Sequence, residues 1–289
     1  MKPSSSHFHD IRKLRYHVRT WGDSGKPVLV MLHGWMDVSA SFQFLVDALR
    51  QDWYVVAPDW RGFGLTDWSP EPYWFPDYYS DLDAILQIYS PQAPVRMVAH
   101  SMGGNIACTY AGIRPERIAR LVSLEGFGYL RMAPKLAPDR YARWLNELRE
   151  QPRLKPYKSI AQVAERMHDR NPHLSAERAL FLAEHWARST PSGEYILRAD
   201  PKHKMSNPVL NRIEEHVACW QRITAPVFWV WGRETRTTSS KQDTPEQWNE
   251  RKSAFRDLRE ITIDEAGHMI HLDQPERLAL AIEPFLHDA

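Results

Sequence analysis

The chain has 289 residues, of which 43% are hydrophobic and 25% charged, with a formal net charge of +1. That length supports one large core, or a core with a subdomain. The near-zero charge excludes a field that would draw nucleic acid or an anionic membrane. Cys108 and Cys219 give no disulfide framework. The first nine residues hold no apolar run, and nothing is long and apolar enough to span a bilayer, so the expected location is cytoplasmic.

In chain order, Arg12–Trp21 alternates loosely and reads as the strands of an opening hairpin, with Gly22-Asp23-Ser24-Gly25 as a turn. Pro27–Leu32 is apolar without alternation, as a strand covered on both faces should be, and it ends in His33-Gly34-Trp35. A helix is predicted over Ser39–Arg50. A buried strand follows at Trp53–Ala57, closing in Asp59-Trp60-Arg61-Gly62-Phe63-Gly64, and then a helix at Tyr79–Tyr89. Ile118–Leu124 is the next buried strand and ends in Glu125-Gly126-Phe127-Gly128. Strands separated by helices predict an α/β chain with a mostly parallel sheet.

Between Tyr129 and Ile223 the alternation stops. Helical spacing is present over Tyr141–Arg149, Ile160–His168 and Ala176–Arg188. Asn207-Pro208 looks like the N-cap and first turn of a helix reaching Trp220. Strand-helix rhythm then resumes with Ala225–Trp231, a polar loop Arg233–Gln247, the strand Leu258–Ile263 and a last helix over Gln274–Leu286. The expected division is a core of residues 1–128 and 224–289 interrupted by a helical cap of residues 129–223. The chain holds twelve tryptophans, which suggests aromatic walls as well as core. Tyr129, Trp144, Trp186 and Tyr195 are the cap's candidates for an apolar wall.

The stretch with most chemical content is Val95–Gly104. A short apolar strand breaks at Ser101 and resumes as a helix over Asn105–Ile113. A serine at such a bend is held up at the sheet edge, with small neighbours so that strand and helix can approach. The helix that follows points its N-terminus at the hydroxyl, where negative charge is favoured. The usual pattern is Gly-x-Ser-x-Gly; here alanine, Ala99, takes the first glycine's place.

Together with His33-Gly34-Trp35, Asp59–Gly64 and the late Gly267-His268, this stretch resembles the α/β-hydrolase superfamily over nearly the whole chain. The resemblance lies toward the branch of epoxide hydrolases, haloalkane dehalogenases and small-ester serine hydrolases. It implies a mostly parallel central sheet flanked by helices, with the cap inserted after the sixth strand. It implies Ser101 as nucleophile, His268 as base, and the backbone N–H groups of Trp35 and Met102 as oxyanion donors. His33 is expected to order its own turn, His100 and His271 to be structural, and Asp59 and Arg61 to staple a loop.

The acid that orients His268 has two candidates. The superfamily's common position, three residues past the glycine ending strand seven, falls on Thr235, which carries no charge. Glu234 is one place early and sits between Arg233 and Arg236. The alternative position, after strand six, carries Glu125, where a carboxylate at a buried strand end requires a partner. The expectation is a Ser101-His268-Glu125 triad, with Glu234 as the alternative acid. The expected activity is hydrolysis of a small-molecule carboxylic ester, with no metal and no cofactor. Thioesterase, lactonase and carbon–carbon hydrolase chemistry use the same machinery, and a non-catalytic sensor of the same fold is the alternative from another class.

Overall fold

A computed structural model of the chain describes residues 1–126, 128–150, 152–235 and 244–287. Phe127 and Arg236, with the rest of the polar stretch 236–243, lie outside the described residues. The strands are β1 (Ser4–Ile11), β2 (Leu14–Trp21), β3 (Val28–Leu32), β4 (Tyr54–Pro58), β5 (Val95–His100), β6 (Ile118–Leu124), β7 (Ala187–Ser189), β8 (Tyr195–Leu197), β9 (Val227–Gly232) and β10 (Leu258–Ile263). The helices are α1 (Gln43–Ala48), α2 (Phe75–Tyr89), α3 (Met102–Ile113), α4 (Ala137–Arg149), α5 (Ile160–Arg170), α6 (Ala176–Trp186), α7 (Ile213–Trp220), α8 (Pro245–Ser253), α9 (Ile270–Asp273) and α10 (Pro275–His287).

Eight strands form one sheet in the order β1-β2-β4-β3-β5-β6-β9-β10. β1 and β2 pair antiparallel, as do β2 and β4; every other pairing is parallel. The unbroken apolar runs are explained by burial on both faces. In β3, Leu29 and Met31 pack toward α1 and α10 with Leu45, Val46, Leu278 and Ile282. Val30 and Leu32 face the other side, toward α2 and α3 with Leu82, Leu86, Ile106 and Tyr110. Cys108 is part of that second layer, a buried apolar group whose thiol burial pushes up to about 12. The parallel strands all end on one edge, so the loops after β3, β4, β5, β6, β9 and β10 gather there, where open α/β sheets place their sites.

Four local expectations are corrected. The hairpin begins at Ser4, and its turn is Arg12-Lys13, with φ of 49° and 68°. A two-residue hairpin turn with both φ positive favours Asn-Gly or similar pairs, so Arg-Lys gave no turn signal. α7 begins at Ile213, well after Asn207-Pro208, because the Asn207 side chain accepts from Val209 N–H and closes a local turn instead of a helix. α6 ends at Trp186, and the chain turns into the small β7–β8 ladder. The polar stretch gives way at Thr244 to α8, which a reciprocal Thr244–Gln247 capping box initiates.

Asp59 and Arg61 do not staple one another. Asp59 takes His17 Nδ1 at 2.7 Å and the backbone N–H groups of Ser39 and Leu65. Arg61 instead makes a two-pronged bond to the buried carboxylate of Asp81 on α2, both prongs at 2.6 Å. Breaking such a buried pair from one side costs about 3–5 kcal/mol, which makes this a link between the β4 loop and α2.

Several imidazoles are buried uncharged. Burial pushes His33 down to about 4, and His203 and His271 to about 3. An unfolded chain protonates these groups below about pH 6.5, whereas the folded chain leaves them neutral. Unfolding therefore takes up protons, and stability falls as pH drops from about 6.5 toward their folded values. Asp37, pushed up to about 7 by burial, acts in the opposite direction between its ordinary value and pH 7, as does Asp273, which burial also raises, but the imidazoles that burial lowers, His100 and His216 among them, outnumber these two carboxylates. The urea midpoint is expected to be lower at about pH 5 than at about pH 7, each histidine contributing about 2 kcal/mol of the difference. His203→Gln should shrink that difference; an unchanged slope in the variant would remove His203 from the account.

Candidate active site

The bend at Ser101 has φ 52° and ψ −115°, a conformation that is strained for a residue with a side chain. Its N–H donates to Leu124 O at 2.8 Å and its carbonyl accepts from Asn105 N–H at 3.0 Å, so both neighbouring elements hold it. The small residues are required by space. A Cβ at Gly103 would stand 2.4 Å from Leu32 O, and one at Gly104 2.7 Å from Ser123 Oγ. A Cβ at Gly34 would meet His100 Nδ1 at 2.9 Å and Ser101 Cβ at 3.2 Å, which puts the turn after β3 directly against the serine.

Ser101 Oγ lies 3.0 Å from His268 Nε2, and His268 Nδ1 lies 3.4 Å from Glu125 Oε2. These three residues come from the ends of β5, β10 and β6. Glu125 is 5% exposed and also has a positive φ, 54°. Its Oε1 accepts from Gly232 N–H at 2.7 Å and its Oε2 from Thr235 Oγ1–H at 2.8 Å. Thr235, on the position where the resemblance puts an acid, thus donates to the carboxylate. Glu234 turns to the surface and pairs with His173 Nε2 at 2.9 Å. The structure brings Glu125 to His268 and leaves Glu234 outside the group.

Met102 is the first residue of α3, so its N–H is one of those for which a helix offers no internal acceptor. Trp35, half exposed, follows Gly34 in the turn against Ser101 and lines the cavity above it. His33 orders that turn: Nδ1 donates to Gly34 O at 2.7 Å, and Nε2 accepts from Trp60 N–H at 2.9 Å.

The loop carrying His268 is tied from beneath. His100 Nε2 donates to His268 O at 2.8 Å, and Gly267 N–H donates to Asp273 Oδ2 at 2.8 Å. A Cβ at Gly232 would stand 2.2 Å from Gly267 O, so β9 and this loop are in backbone contact. Asp37, His100 and His271 form a buried group whose ligand-type atoms lie within 4.8 Å of one another, a donor set of the kind that holds a divalent ion. Asp37 already accepts from Val38 N–H, Ser41 Oγ–H and Trp186 Nε1–H, so its carboxylate is satisfied by the protein itself. Sequence reasoning missed Asp37, and it set Thr235 aside for want of a charge without seeing its role as a donor to Glu125. Thr235 carried a signal in its spacing from Gly232; Asp37 carried none.

A cavity of about 480 Å³ opens over Ser101 and His268. Its walls come from Trp35 and Met36 on one side and from residues 154–204 on the other, including Leu154, Tyr157, Val163, Met167, Leu174, Trp186 and Leu197. Of the four expected wall aromatics only Trp186 lines it. Tyr129 packs against Phe75 and His216, and Tyr195 pairs with Ser189 in the small ladder. Trp144 lies on α4, none of whose residues is buried.

Residues 27–275 match the family described as the alpha/beta hydrolase fold. The chain belongs to the α/β-hydrolase family, and it is a hydrolase. It is 27% identical over 285 residues to a serine hydrolase-like protein of Danio rerio, covering 93% of this chain and 84% of that one. Serine hydrolase-like protein 2 of Homo sapiens is 22% identical over 282 residues, covering 93% and 89%. Among solved structures, the thioesterase domain from the curacin biosynthetic pathway superposes with a TM-score of 0.84 at 22% identity, covering 97% of this chain and 99% of that one. No helix among the described residues is long and apolar enough to cross a membrane.

The glycine contacts give a test that needs no substrate. Gly103→Ala must push back two backbone carbonyls and should cost about 1–3 kcal/mol of stability. Gly25→Ala, whose Cβ would find nothing closer than 3.5 Å, should change little. Equal thermal midpoints for the two variants would show that the close approach at the bend does not govern stability.

Proposed function

We propose that the protein hydrolyses carboxylic esters through an acyl-enzyme on Ser101. The observation that carries this reading is the 3.0 Å contact between Ser101 Oγ and His268 Nε2, with the other ring nitrogen directed at Glu125. For Nε2 to accept the serine proton, Nδ1 must carry hydrogen, and a carboxylate on that side selects this tautomer. The separation is 3.4 Å, and catalytic hydrogen bonds are often long until substrate tightens them. Gly232 N–H and Thr235 Oγ1–H hold the carboxylate in place, so the imidazolium formed as Ser101 attacks meets a fixed negative charge.

In the acylation step Ser101 Oγ bonds to the ester carbon and its proton passes to His268. The carbonyl oxygen becomes an oxyanion, facing the N–H groups of Trp35 and Met102. Collapse expels the alcohol, which takes the proton from His268. Water then repeats the sequence on the acyl-enzyme and releases the acid. The mainly apolar walls suit an acyl chain of small to medium size. The same steps would serve a thioester, lactone or carbon–carbon bond, so the triad carries the acyl-enzyme mechanism and the cavity bears on the acyl group.

The reading extends to residues 129–223, which we place over the site as a substrate-selecting cap. These residues supply one wall of the cavity. Their helices α5 and α6 have a core of their own, including Val163, Met167, Leu174, Leu182 and Ala183, which meets the sheet domain through Leu272.

Three outcomes are expected. Ser101→Ala and His268→Ala should each abolish turnover of 4-nitrophenyl esters while leaving the far-ultraviolet circular dichroism unchanged. Glu125→Gln should lower kcat by about three to four orders of magnitude, by comparison with other triad acids, and Glu234→Gln by about tenfold or less, since exposed charges couple weakly. A folded Ser101→Ala protein with near-normal turnover would end the proposal; reversed effects at the two glutamates would move the acid to Glu234. Met167→Ala enlarges the wall and should shift the preferred acyl length upward, changing the long-to-short ratio of kcat/KM by about tenfold. An unaltered ratio would remove α5 from substrate selection.

A further inference from the structure

The cavity's charges are segregated. Lys155, Arg166, Arg170 and Lys204 all line it, and among the described residues the only carboxylate in the lining is Asp37. Asp37 is buried and already takes three hydrogen bonds, so it does not neutralise the cations. None of the four cations forms an ion pair with a carboxylate among the described residues. Arg166 lies over the Tyr157 ring at 5.8 Å, and Lys204 Nζ reaches Arg153 O at 3.4 Å. Nearby carboxylates are committed elsewhere, Glu147 to Arg143 and Asp200 to Lys202.

This arrangement is not a by-product of overall charge. The chain has 37 basic and 36 acidic side chains, so a random patch would be mixed. Arg166 and Arg170 stand one turn apart on α5, a like-charge spacing that destabilises an isolated helix. Their neighbours Glu165 and Asp169 are not in the lining. On the same helix Val163 and Met167 are buried into the cavity wall. α5 therefore presents an apolar stripe beside a cationic one, both bordering one cavity.

We propose that the substrate carries an anionic group, a carboxylate or phosphate, remote from the bond that is cut, and that the cluster of Lys155, Arg166, Arg170 and Lys204 binds it. The four cations are solvent-exposed whereas Ser101 and buried Asp37 lie at the floor, so the anion sits at the mouth. The apolar middle of the acyl chain spans the wall between them. This deepens the ester-hydrolase reading and rests on it for the position of the scissile bond. Arginine supplies a planar fork to carboxylate or phosphate, and an apolar channel beneath makes the ion pair less screened than one on an open surface.

The decisive measurement is independent of turnover. Ser101→Ala protein is titrated calorimetrically with suberic acid monoamide, which is anionic, and with octanamide, which is neutral and of the same length. The anion should bind at least about tenfold more tightly at low salt, and the advantage should shrink at about 0.5 M NaCl. The same titration in Ser101→Ala/Arg166→Gln/Arg170→Gln should bring the ratio near one. Equal binding of the two ligands, or a preference for octanamide, overturns the proposal whether or not the protein cleaves esters. With active protein, 4-nitrophenyl hemisuberate should exceed 4-nitrophenyl octanoate in kcat/KM, the difference residing in KM. 4-Nitrophenyl 7-phosphonoheptanoate, which carries a phosphonate where the hemisuberate carries its carboxylate, separates the two oxyanions: a larger gain there than with the hemisuberate assigns the cluster to phosphate, and a smaller one to carboxylate. Failure of Ser101→Ala to abolish turnover alongside tight anion binding would strike the triad reading and leave the cluster standing.

Discussion

Everything in the site depends on one steric condition, the reversal of the chain at Ser101. A side chain at φ 52° is tolerated only where its surroundings leave no alternative. Here β5 and α3 are drawn together until Gly103 and Gly104 have no room for a Cβ against Leu32 O and Ser123 Oγ. The hydroxyl is thereby fixed by the packing of the sheet and not by a flexible loop. Met36, Ser101 and Glu125 all have positive φ and all border this one place, so backbone strain is concentrated where orientation is most useful.

The carboxylate shows how the same edge of the sheet can be wired differently without changing the geometry. β6 lies between β5 and β9, so a residue at its end is beside both the serine and the loop from β9. Glu125 occupies that position and receives a hydroxyl from Thr235 and an amide from Gly232. The threonine is uncharged, yet it stands in the right place to orient the charge of a neighbour. Histidines do comparable work beneath: His33 holds the turn after β3, and His100 holds the carbonyl of His268. Burial keeps both uncharged, which lets each act as a fixed donor.

The helices between β6 and β9 are a separate piece of physics. Of these, α5 and α6 bury their apolar stripes in a small core of their own, and Val163, Met167 and Leu174 of that core also line the cavity. Part of the apolar wall, Val163 and Met167, and two of the four cations, Arg166 and Arg170, thus stand on one element, α5.

Sequence by itself determined the frame. Unbroken apolar runs identified the parallel strands, because a strand covered on both faces must be apolar on both. The serine between small residues and the late Gly267-His268 marked two members of the site, since tight bends leave a local trace in residue size. Glu125 was legible as a charge at the end of a buried strand. What only the tertiary structure decided was every relation between loops. That Thr235 serves Glu125, that Glu234 pairs with His173, and that Arg61 reaches Asp81 instead of Asp59 are contacts across 110, 61 and 20 residues. The Arg12-Lys13 turn and the late start of α7 escaped because the deciding forces were tertiary pairing and one asparagine side chain, not periodicity. The cavity lining belongs to the same class: Trp186 and Tyr195 look alike in the sequence, and only the packing of α6 against the β7–β8 ladder sends one to the cavity and the other to the core beside it.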